Sequence, residues 1–198
     1  MWSNASSGWF GVLVAVMFLL VIQEYLKKKA NETRGDSTKL TFLDLIVTSE
    51  DNCYSLSRFQ IYVWTVWVVI AFVAIAFYSC SFPTIPSNLA ILMGINGLTM
   101  ALSTAIAKPQ EITIKQSSPS FYRDIFLDKN GTLDLPRTQM FIWTIVILMT
   151  HIFVFWYGYY AVKPPSLPSL PDVDAGLLIL MGVSNGAYLG VKATDKNK

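Results

Sequence analysis

Charge is what this chain has least of: 14% of its 198 residues are Asp, Glu, Lys or Arg, against about a quarter in a typical soluble domain. So little charge beside 53% apolar residues excludes a disordered chain and a nucleic-acid-binding module. Cysteine is nearly missing too, with Cys53 and Cys80 alone, which excludes a disulfide-stapled secreted scaffold. Helix across the second apolar run would hold those two about 40 Å apart, whereas a disulfide needs alpha carbons within about 7 Å. Histidine occurs once, at His151. No Cys/His metal spacing, Gly-rich phosphate loop or convergent Ser/His/Asp set is present, so the expectation is a protein that is not an enzyme and holds no cofactor or metal.

Proline is also missing where it would do most harm. None of the nine prolines falls inside five long apolar runs, at about 9–26, 61–78, 89–107, 140–162 and 175–191. No Asp, Lys or Arg falls there either, and Glu24 is the one acid. Each run is long enough for a helix to cross a bilayer, and an interior proline would have kinked it. The prediction is one all-α membrane domain over 1–198, with five transmembrane helices in contact with lipid. Residues 1–30 form an anchor helix. The anchor is not a secretory signal, because its charges, Lys27 to Lys29, follow the apolar run instead of preceding it.

Cations set the orientation. Threading five spans with the N-terminus outside puts every Lys and Arg on the inner side except Lys163. The expected placement is therefore multi-pass in the cell inner membrane, with the C-terminus cytoplasmic.

The most informative pattern occurs twice. Arg58-Phe59-Gln60-Ile61-Tyr62-Val63-Trp64-Thr65 and Arg137-Thr138-Gln139-Met140-Phe141-Ile142-Trp143-Thr144 both read Arg-x-Gln-x-x-x-Trp-Thr. Downstream, residues 89–94 read Leu-Ala-Ile-Leu-Met-Gly and residues 177–182 read Leu-Leu-Ile-Leu-Met-Gly, each behind a proline-rich turn. Two repeats follow, 40–108 and 119–194, each a span going out, a turn and a span coming back. Two spans per unit imply copies threaded in the same sense, unlike the inverted repeats of many carriers.

With Asp51, Ser55 and Ser57 ahead of the first copy, and Met181, Gly182, Val183 and Ser184 closing the second, the pattern resembles a group of uncharacterised bacterial inner-membrane proteins. In the first copy Asn96 stands where that pattern has serine. The resemblance implies a duplicated helical hairpin and brings no activity with it.

Several residues are candidates for function. Arg58 and Arg137 sit at the inner edge, where they reach lipid phosphate or ring the inner mouth of an oligomer. Gln60 and Gln139 share a helix face with Trp64 and Trp143, and an amide in lipid is expected to point into the bundle. Asn96, Ser184 and Asn185 put polar groups on the returning spans, for packing or for a pore. Gly182, Gly186 and Gly190 form a ridge suited to close helix association. His151, within a span, is read as neutral and hydrogen-bonded across helices. Ser55 and Asp134 are N-cap candidates, with Ser57 and Gln60 an alternative capping box. Residues 128–134 resemble part of a calcium loop but carry Gln139 where the loop needs its glutamate, so a turn ahead of the cap is expected.

Two functions fit these features. One is a homo-oligomeric channel or pore subunit. The other is a membrane scaffold or sensor whose segments 27–57 and 109–136 dock a soluble cytoplasmic protein. No nucleic-acid partner is expected.

Overall fold

The computed structural model describes residues 4–34, 54–106, 120–127, 131–161 and 169–194. Six helices follow in order among them: α1 (Asn4–Arg34), α2 (Leu56–Ser79), α3 (Ser87–Ile106), α4 (Phe121–Phe126), α5 (Leu135–Ala161) and α6 (Ala175–Thr194). All but α4 are long and apolar enough to cross a membrane, so the chain is an all-α, multi-pass membrane protein. The helices overrun the apolar stretches that predict them. α1 continues to Arg34 because Glu24 and Lys27 to Lys29 are good helix formers, with Lys27 and Glu24 paired at 3.6 Å. Residues 40–50 with Asp44, then Asp51, Cys53, Lys163 and residues 128–130, lie outside the described residues. Cys80 is a free, exposed thiol.

The helices form an anchor and two hairpins, α2 with α3 and α5 with α6. The hairpins stand side by side in the same sense, α2 against α5 and α3 against α6. Contacts at two levels set the register of α2 and α5. Gln60 Nε2 donates to Thr144 Oγ1 at 2.6 Å and Trp67 Nε1 donates to His151 Nδ1 at 2.8 Å. Equal steps along both helices mean parallel helices. The α3 and α6 side agrees, with Asn88 Nδ2 on the Val173 carbonyl and Asn185 Nδ2 on Asn96 Oδ1. Beyond the helix ends the two proline turns meet through a parallel bridge between Thr84 and Ser169.

Two apolar clusters fill the square of four helices. The larger, toward the proline turns, centres on Trp64, Trp67, Leu89, Leu92, Ile147, Phe155, Leu170 and Met181. The smaller, at the arginine end, joins Leu56, Met140 and Tyr188 to Ile125 of α4. α4 thus plugs that end of the bundle. Its Asp124 accepts the backbone N–H groups of Tyr54 and Ser120, tying the short helix to the start of α2.

The two expected caps differ. Asp134 accepts the Arg137 N–H at 3.2 Å, as an N-cap does. Ser55 precedes α2 in an extended conformation but makes no side-chain cap bond. Its hydroxyl lies 3.2 Å from that of Ser57. No Ser57–Gln60 capping box closes, because the Gln60 amide turns inward to Thr144. Ahead of α5, Leu127 and Leu133 form an antiparallel bridge, and Gly131 has φ of 78°, a conformation that glycine adopts without steric cost.

α1 stands outside the square, against α2. A Cβ on Gly11 would lie 2.8 Å from Phe77 Cβ and 3.0 Å from the Val73 carbonyl oxygen. Gly11→Leu is therefore expected to force the helices apart at about 1–3 kcal/mol, lowering the thermal midpoint in detergent by several degrees. Gly186→Leu, with nothing within 4 Å of its Cβ position, should leave that midpoint unchanged. Equal midpoints for the two variants would refute the close approach.

Candidate functional site

A set of polar side chains runs through the middle of the square. Ser57, Gln60, Asn96, Thr99, Ser103, Thr144, His151, Ser184 and Asn185 are all buried. Gln60, Asn96, Thr144, His151, Ser184 and Asn185 each lie three or four positions from an apolar core residue of the same helix, and Thr99 and Ser103 continue the Asn96 stripe at that spacing. The sequence thus places a line of hydroxyls and amides along the bundle axis, from the arginine end toward the proline turns.

Partners account for part of this line. Ser57 and Ser103 hydroxyls meet at 3.2 Å, holding the first hairpin together at its arginine end. Thr144 accepts from Gln60 and sends its own proton to the Met140 carbonyl at 2.8 Å. Asn96 and Asn185 meet through one long bond of 3.4 Å. Six buried side-chain atoms have no hydrogen-bond partner among the described residues: Arg137 Nε, which has an ion pair with Asp134 instead, and five atoms of this line, Gln60 Oε1, Trp64 Nε1, Asn96 Nδ2, Ser184 Oγ and Asn185 Oδ1. Each such atom costs about 1–3 kcal/mol when left dry.

His151 is fully accounted for. Its Nδ1 accepts from Trp67, so its proton resides on Nε2, 2.9 Å from the Pro171 carbonyl oxygen. Those two partners require the neutral ring. The contact also draws the second proline turn down into the bundle. The next residue, Asp172, uses Oδ1 to accept the backbone N–H of Leu89, at 3.3 Å, and of Val173. Beside it opens a cavity of ≈ 460 Å³, lined by Thr84, Ser169, Pro171 and Asp172 with apolar neighbours.

The arginines have unlike roles. Arg137 Nε pairs with Asp134 Oδ2 at 2.9 Å, and its Nη1 donates to the Asp124 and Leu127 carbonyls that end α4. The guanidinium also stands 5.8 Å from the centre of the Tyr188 ring. Arg137 therefore clamps α4 to the bundle. Arg58 lines an open groove between α2 and α3.

The glutamines separate in the same way. Gln60 is wholly buried, while Gln139 is exposed on α5. Side-by-side packing buries one flank of each hairpin, and the motif occupies opposite flanks at the shared interface. Of the glycine ridge, Gly182 approaches Ile95 at 4.0 Å, whereas Gly186 and Gly190 face open space.

Sequence reasoning did not single out Trp67, Asp124 or Asp172. Trp67 lies beyond the shared motif, and nothing local distinguishes it from Trp64. Nothing in the local pattern around Asp124 marks its reach to Tyr54, which is set by tertiary contacts. Among the described residues no group of three His, Cys, Asp or Glu could hold a metal ion. No protein-family model, curated protein or solved structure matches the chain.

Proposed function

We propose that this protein is a channel-type membrane subunit whose conduction path is the polar line inside the square of α2, α3, α5 and α6. The observation that carries the reading is the set of five buried polar atoms inside the square without hydrogen-bond partners among the described residues. Leaving all five dry in a bilayer is expensive, and waters offer the donors and acceptors they need. A hydrated interior bounded by amides is what a narrow pore needs. In the present conformation Trp64, Leu92 and Met181, each fully buried, close it. The path differs from an oligomer axis, because Asn96 and Asn185 face one another within one chain. On this reading the two hairpins are copies of one unit. The cation bias puts the arginine end in the cytoplasm, and the resemblance to bacterial proteins makes the membrane an inner membrane.

Exposed Phe121 and Tyr122 on α4 favour a second reading, a scaffold that docks a soluble partner at the arginine end. Recordings from purified protein in planar bilayers separate the two. Asn96→Leu together with Asn185→Leu removes two amides from the path. A barrier raised by about 1.4 kcal/mol lowers conductance roughly tenfold. An unchanged conductance overturns the pore assignment, and no conductance in the unaltered protein favours the scaffold.

A further inference from the structure

Aligning the two copies of Arg-x-Gln-x-x-x-Trp-Thr pairs Gln60 with Gln139 and Thr65 with Thr144. The contact inside the chain joins Gln60 of the first hairpin to Thr144 of the second. The converse pair, Gln139 and Thr65, is exposed on both sides. The interface between the hairpins is therefore heterologous: one flank of the first hairpin meets the opposite flank of the second. A two-fold axis between them would have made both pairs together. Heterologous contacts leave one unused copy of each flank, and such contacts propagate into rings or rows.

The unused flanks are visible residue by residue. On the outgoing helices Leu56 is 3% exposed and its counterpart Leu135 is 69%. Tyr78 is 9% exposed and Tyr157 is 68%. On the returning helices Leu92 and Ser103 are buried, while the aligned Leu180 and Val191 are exposed. The second hairpin thus presents to the outside the flank that the first hairpin buries. On the far side of the first hairpin lies the matching receptor, a groove of ≈ 630 Å³ between α2 and α3. Arg58, Ile61, Tyr62 and Thr65 line one wall, and Met100 and Thr104 lie on the other. The aligned place on the second hairpin, at Met140, Thr144 and Tyr188, is the one filled by Leu56 and Gln60.

One detail shows how complete the match is. Thr144 accepts the Gln60 amide while donating its own hydroxyl proton one turn back, to the Met140 carbonyl. Thr65 holds the same posture, with Oγ1 donating to the Ile61 carbonyl at 2.7 Å. Its lone pairs point outward, ready for an amide.

We infer that a second copy of this chain docks head to tail, its exposed α5–α6 flank entering the α2–α3 groove, with Gln139 donating to Thr65 of the partner subunit. The occupant is a second copy because the chain already displays both halves of an interface it makes once within itself. α1 packs beside the groove, through Gln23 Nε2 on the Tyr62 hydroxyl at 2.8 Å, and leaves the groove open. All subunits then share one orientation in the membrane. The assembly does not depend on whether the interior conducts.

Site-directed cross-linking tests it. Thr65→Cys and Gln139→Cys are introduced singly into differently tagged chains lacking Cys53 and Cys80. The chains are co-expressed and treated in native membranes with a short bis-maleimide. Both sites are exposed, so neither substitution removes a core contact. The expected result is a dimer band carrying both tags, absent when either variant is expressed alone. The double variant is expected to shift into a ladder of higher bands. Three outcomes overturn the inference: no cross-linked product, dimers from Thr65→Cys alone, or efficient cross-linking through Gly186→Cys with none between positions 65 and 139. Conductance is not read in this experiment, so its failure leaves the pore assignment standing and the reverse also holds.

Discussion

Trp67→Ala is expected to be the most damaging single substitution in the membrane-spanning region, at about 3 kcal/mol. Trp67 packs in the larger cluster with Phe155 at right angles, their ring centres 5.3 Å apart. Truncation leaves a cavity whose lining atoms lose their dispersion contacts. Lipid tails are as apolar as the core, so the transfer part of the usual cost shrinks and the packing part remains. The substitution also strips His151 Nδ1 of its donor. Trp67→Phe separates the two effects: it keeps most of the ring volume and loses the hydrogen bond, for about 1–2 kcal/mol. Steric-trap unfolding in bicelles measures both. Equal losses for the two variants would mean that the hydrogen bond, and not the cavity, dominates.

Arg137→Ala is expected to release α4 from the bundle at about 2 kcal/mol. The guanidinium holds three things together: the Asp134 carboxylate, two carbonyls at the end of α4 and the face of Tyr188. The ion pair is partly exposed, at 27% for the arginine side chain, so its own share is discounted for solvent. Most of the loss comes from the two carbonyls left without a charged donor. Arg137→Lys should recover little, because one ammonium cannot reproduce the planar fork that spans Asp134 and α4. Limited proteolysis around residues 120–127 reads the release. Cleavage as slow as in the unaltered protein for both variants would show that apolar contacts of Ile125 hold α4 unaided.

Much of the fold was legible because the membrane imposes simple rules. Run lengths and the placement of proline and charge marked all five spanning helices. The shared motif marked the two hairpins, since it opens the first helix of each, α2 and α5. What one motif copy cannot reveal is which flank faces the other copy. Gln60 and Gln139 are preceded by the same arginine and followed by the same Trp-Thr, yet one is enclosed and the other exposed. Local pattern is identical there, and stacking decides. The same holds for the arginines: Asp134 and α4 draw Arg137 inward, whereas Arg58 borders a groove. Asn96 and Asn185 were legible as polar groups in spans, but their meeting inside one chain depends on the side-by-side arrangement of α3 and α6.

Asp172 gives the start of α3 a carboxylate that the chain supplies some eighty residues later, at 3.3 Å from the Leu89 N–H. A ribosome feeding this protein into the bilayer delivers α2 and α3 long before that carboxylate emerges. The first hairpin must therefore wait with an incomplete helix start, exposed to the translocon or to headgroup water, until the second arrives to finish it. Biogenesis then ends with a closing step at the proline turns, and late residues act as the latch for early ones.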